Sequence, residues 1–70
     1  MQDFERIGRN IFKMRKEQGL SQEDLAGIME IERSYLSEME NGHANFSITV
    51  LMKLSDALGT TPDKILLPKS

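Results

Sequence analysis

Seventy residues, 39% apolar and 29% charged, predict one small globular domain spanning residues 1–70, near the size where a single core only just suffices. With no cysteine and one histidine, a disulfide framework, a thiolate metal site and a metal cluster are excluded. No apolar run nears the roughly 18 residues of a membrane span and no secretory pattern opens the chain, so a cytoplasmic location is expected. Net charge is −2, from nine Lys and Arg against eleven Asp and Glu, which argues mildly against nucleic acid. Placement matters more than the sum, because Arg6, Arg9, Lys13, Arg15 and Lys16 crowd into the first predicted element.

That element is an amphipathic helix over about 3–18. At 100° per residue Phe4, Ile7, Ile11 and Met14 form one stripe, with Arg6, Arg9, Lys13 and Lys16 opposite. Phe12 projects off the stripe. Arg15 falls on its edge, near Phe4 and Ile11, and a buried arginine needs an anionic partner, since an unpaired one costs about 3–5 kcal/mol. Gly19 stops the helix.

The second helix starts with Ser21 as N-cap and Asp24 three residues on, a short-armed capping box, with Leu20 and Leu25 at the positions of a hydrophobic staple. Gln22, first in the helix, is expected to reach forward to solvent or a phosphate. The helix ends near Ile28 or Met29, and Gly27 inside it reads as a place for close backbone approach. The third helix, about 33–40, buries Leu36 and Met39 and carries Glu40 on the edge of that face. Ser34, Ser37 and Glu38 point away, with Arg33 and Tyr35 on the flanks. Arg15 and Glu40, opposite charges on the apolar margins of two helices, are expected to pair.

After a loop over 41–46, Ser47 caps a fourth helix whose stripe is Ile48, Leu51, Leu54 and Leu58, stopped by Gly59. Thr61 and Pro62 open a short last helix with Ile65, Leu66 and Leu67, an arc too wide to bury against its own domain. These three, with Val50 and Met52, form the expected isologous dimer patch. The bland alternative lets Ile65 and Leu66 close the monomer core. No strand pattern or repeat appears, so the fold class is all-α, a compact five-helix domain.

Ile7-Gly8, Ile11, Arg15, Gly19-Leu20-Ser21-Gln22-Glu23, Leu25-Ala26, Ser34-Tyr35-Leu36-Ser37, Glu40-Asn41-Gly42 and Ala57-Leu58-Gly59, in this order and spacing, closely resemble the phage-repressor-like Xre family. The resemblance spans nearly the whole chain. It implies a helix-turn-helix over the second and third helices and a homodimer whose recognition helices each read one operator half-site. It also implies an arginine late in helix 1 paired with a glutamate ending helix 3. Glu32-Arg33-Ser34-Tyr35, with Asn45 and Ser47, is most similar to the restriction–modification controller proteins of that family. Three positions depart from the pattern: Glu30 stands where the turn usually has glycine, Glu32 where helix 3 has a Ser/Thr cap, and Phe46 where a proline precedes helix 4.

On this reading double-stranded DNA is the partner, with Arg33, Ser34, Tyr35 and Glu38 as base contacts. Arg33 suits guanine O6 and N7, Tyr35 a thymine methyl, and Glu38 cytosine N4. The bland reading of Arg33 is a surface pair with Glu30 or Glu32. Gln22, Ser37, Asn41, His43, Asn45 and Ser47 are the expected phosphate contacts. The basic face of helix 1 either flanks DNA or is merely solvated.

The leading function is a sequence-specific transcriptional regulator acting as a homodimer on a palindromic operator. One alternative is a DNA-binding antitoxin, with a protein partner docked at Phe12 and the last helix. Another is an interaction module that has lost DNA, which Glu30, Glu32 and Glu38 would suit. No nucleophile–base pair, metal cluster or phosphate loop points to an enzyme or a cofactor.

Overall fold

The computed structural model describes residues 2–45 and 47–66, with side chains from Phe4 onward. Five helices follow in order: α1 (Gln2–Glu17), α2 (Gln22–Met29), α3 (Arg33–Glu40), α4 (Ile48–Leu58) and α5 (Pro62–Leu66). None is long and apolar enough to cross a membrane.

The helix starts follow local chemistry. At α2, Ser21 Oγ accepts the Asp24 N–H at 2.9 Å while Asp24 Oδ2 accepts the Ser21 N–H at 3.0 Å, so two otherwise orphaned donors are satisfied. At α4, Ser47 Oγ accepts the Val50 N–H at 3.3 Å. Each helix contributes to one core: Ile7 and Ile11 from α1, Leu25, Ala26 and Met29 from α2, Leu36 and Met39 from α3, Leu51, Leu54 and Leu58 from α4, and Ile65 from α5. Helix α1 packs on α3 and α5, and α2 on α3 and α4.

Gly27 does not mark a close approach, since a Cβ there would meet nothing within 4 Å. The close approach is at Gly8, where a Cβ would sit 2.4 Å from the Met39 carbonyl oxygen and 2.5 Å from that of Glu40. Helix α1 thus meets the end of α3 backbone to backbone. Two further polar links were not anticipated. Buried Asn10 donates from Nδ2 to the Ile65 carbonyl at 2.8 Å, and Gln18 donates from Nε2 to the Leu58 carbonyl.

The expected dimer patch needs correcting. Ile65 is fully buried, because a five-residue helix presents one side chain to the core and Asn10 anchors its carbonyl. Val50 is half-buried against the core rather than outward. Conversely Ile48, placed in the buried stripe, is 74% exposed. Among the described residues of the last two helices, the outward apolar side chains are Ile48, Met52 and Leu66. Leu67 and Phe46 lie outside the described residues.

Candidate nucleic-acid interface

The turn between α2 and α3 is made by Glu30 at φ 60° and ψ 44°, the left-handed conformation a glycine would adopt freely. Ile31 N–H closes the turn on the Ala26 carbonyl at 3.0 Å. The turn therefore keeps the conformation glycine would favour and stores strain, of order 1–2 kcal/mol for a residue with a Cβ. Glu32 precedes α3 in extended conformation and makes no side-chain cap. Its carbonyl accepts from the Tyr35 and Leu36 N–H groups at 3.1 and 3.2 Å, so α3 starts in regular register.

Arg33, Ser34 and Glu38 are exposed on the outer side of α3, with Ser37 half-buried. Tyr35 is also half-buried, and its hydroxyl donates to the Asn45 carbonyl at 3.1 Å. That hydroxyl is engaged on the loop, which leaves the ring as the tyrosine's outward contribution. Arg33 pairs with neither Glu30 nor Glu32: its Nη1 donates to Gln22 Oε1 at 3.2 Å.

Gln22 is turned inward instead of reaching forward, and its Nε2 donates to Glu40 Oε1 at 3.1 Å. Behind it lies the Arg15–Glu40 ion pair. Arg15 Nε donates to Glu40 Oε2 at 2.7 Å, Nη2 to Oε1 at 3.0 Å, and Nη1 to the Leu20 carbonyl at 2.8 Å. Both residues are buried, at 5% and 7% exposure. The Phe12 ring covers the guanidinium, its centroid 5.2 Å from Cζ, so this exposed aromatic serves its own chain as a lid on the pair. A continuous hydrogen-bonded path thus runs from the buried Arg15 to the exposed Arg33.

The loop behind α3 is held close to it. His43 N–H donates to the Glu38 carbonyl at 2.8 Å, and Gly42 at φ 77° lies against Glu5, where a Cβ would come within 2.7 Å of Glu5 Cγ. Asn41, His43 and Asn45 are exposed there, as is Ser47, whose hydroxyl is occupied as the α4 cap. On the other side of Arg33 is an open hollow of about 640 Å³, lined by Arg15, Lys16, Ser21, Gln22, Glu23 and Arg33 among others. At the start of α2, hydrogen bonds with the Ser21 backbone and side chain hold the Asp24 carboxyl under its ordinary value of 3.8.

Sequence reasoning missed Gly8, Asn10, Gln18 and the place of Lys16 in this hollow. Asn10 carried a usable signal. It lies three residues after Ile7 and four before Met14, at the margin of the apolar stripe, as Arg15 does.

A family model described as helix-turn-helix matches residues 11–65. The control protein C.MunI of Mycoplasma sp is 44% identical over 57 residues, spanning 80% of this chain and 77% of its own. The crystal structure of the restriction-modification controller protein C.AhdI from Aeromonas hydrophila matches with a TM-score of 0.90 at 34% identity, covering 93% of this chain and 98% of that one. SinR, the master regulator for biofilm formation, solved in complex with DNA, matches at 0.81 and 39% identity over 87% and 98% of the two chains.

Proposed function

Because this chain belongs to the helix-turn-helix family and is a transcriptional regulator rather than an enzyme, we propose that it acts in the cytoplasm as a homodimer on a palindromic operator, α3 of each copy lying in the major groove. The observation that carries this reading is the path from the buried Arg15–Glu40 pair through Gln22 to Arg33. It roots an exposed recognition face in the core, and preorganised donors on a rigid helix are what base readout needs. Arg33 addresses guanine O6 and N7, worth about 1–3 kcal/mol of discrimination, while Ser34, Glu38 and the Tyr35 ring read its neighbours. Ser37, Asn41, His43, Asn45 and Ser47 hold phosphates on either side, while Gln22, engaged with Glu40 and Arg33, positions the arginine.

Dimerisation has a geometric support. The molecule measures 27 × 21 × 20 Å, shorter than the roughly 34 Å between half-sites one helical turn apart, so one copy cannot read both. Ile48, Met52 and Leu66 supply an apolar surface for the second copy. The likeness to C.MunI and C.AhdI supports a controller of restriction–modification genes as the biological role.

Random-site selection with wild type and Arg33→Ala tests the reading. Wild type is expected to enrich an inverted repeat, and Arg33→Ala to lose preference at one position per half-site. Failure of wild type to enrich any repeat would overturn the function. Unchanged enrichment by Arg33→Ala would remove only the assignment of Arg33.

A further inference from the structure

We propose that Lys16, on the last turn of α1, is a DNA-backbone contact, seating a phosphate in the hollow it shares with Gln22 and Arg33. This rests on the DNA reading above and extends it to a helix outside the helix-turn-helix. Arg15, Lys16 and Arg33 are the three cations lining the hollow, and Glu23 is its one carboxylate. Arg15 is consumed by Glu40, so Lys16 and Arg33 are the cations left to act there.

Lys16 is exposed and makes no ion pair among the described residues. Its Nζ stands 6.0 Å from the Phe12 ring centroid, a contact that restrains the ammonium without neutralising it. Arg33 and Lys16 divide the work by chemistry. A guanidinium offers a planar fork suited to a base edge, whereas an ammonium is a point charge suited to a phosphodiester oxygen. With Arg33 in the groove, the wall of the same hollow lies beside the phosphates that border it. Arg9 and Lys13, further back on α1, are exposed but do not line the hollow.

The test is the salt dependence of operator binding, measured by fluorescence anisotropy from 50 to 200 mM KCl with the duplex that wild type selects. Lys16→Gln is expected to make the log–log slope shallower by about 0.9, the share of one phosphate, and to select the same sequence. Over this fourfold range wild type then loses about 3.5-fold more affinity than the variant. Lys53→Gln, the same charge change beside Ile28 and Asp56 in a separate hollow, is the control and should keep the wild-type slope. An unchanged slope for Lys16→Gln, or an equal change for Lys53→Gln, overturns the proposal. If wild type selects no duplex, the DNA reading itself fails and takes this contact with it.

Discussion

Glu30 shows how a single residue can be foreseen in place but not in consequence. Its position in the turn follows from the spacing of Ser21 and Arg33, yet a glutamate there could have rewired the turn instead of straining it. The packing of Met29 and Leu36 on one core fixes both flanks, so the left-handed conformation is imposed. Glu30→Gly should therefore stabilise the fold by about 0.5–1 kcal/mol, the relief of left-handed strain less the added unfolded-state entropy of glycine. The check is a higher urea midpoint at unchanged m value; a lower midpoint would mean the strain is absent. Gln22 taught the opposite lesson. Its place at the start of α2 was legible, its inward turn was not, because that depends on the acceptor capacity left on Glu40 once Arg15 is bound.

Between elements, the Arg15–Glu40 pair joins α1 to α3, and it was legible because each charge sat on an apolar margin. Arg15→Met leaves the Glu40 carboxylate buried and unpaired, and should cost about 3–5 kcal/mol in denaturant titrations. Adding Glu40→Leu is expected to recover most of that loss, since an apolar pair of similar volume carries no desolvation penalty. A double variant as unstable as the single one would show that the charge is not the issue.

The α2 cap gives a pH dependence of known sign. The Asp24 carboxyl is held below 3.8 in the folded protein by the Ser21 hydrogen bonds, so the unfolded chain binds its proton first. Its contribution is complete above 3.8 and is lost as pH falls from there through the lower folded value. Asp24→Asn should flatten that part of a Tm-against-pH curve measured from pH 2 to 5, and an unaltered curve would contradict it. Helix starts were readable because caps are local. The face of α4 was misread at Ile48 because angular counting gives a direction around the axis but not how far the core extends along it. In the first turn of α4, Val50 and Leu51 reach the core, but Ile48, the first helical residue, stays 74% exposed.

For the whole molecule, the fold class and the helix-turn-helix were legible, while which apolar side chains stay outside the core was only partly so. The breadth of the apolar arc at 65–67 pointed to a second copy, but tertiary packing drew Ile65 inward and left Met52 and Ile48 outside. On the proposed dimer, Met52→Glu puts a charge into the apolar surface offered to the second copy. Sedimentation equilibrium should show a shift to monomer with an unchanged far-ultraviolet circular dichroism spectrum, and operator affinity should fall more than tenfold. A variant that remains dimeric would move the interface elsewhere, and a wild type monomeric at high concentration would end the dimer reading.

On the proposed reading, the bond between Arg33 and Gln22 sets a resting posture for recognition. The glutamine holds one of the five guanidinium N–H donors, and the rest of this exposed side chain is left to solvent. A base edge therefore displaces water from the free donors, and guanine, with two acceptors in the plane of the fork, fills two of them at once. At a base with one acceptor or none the arginine keeps its glutamine and most of its water, so the difference between sites comes from what guanine adds and not from a stranded charge.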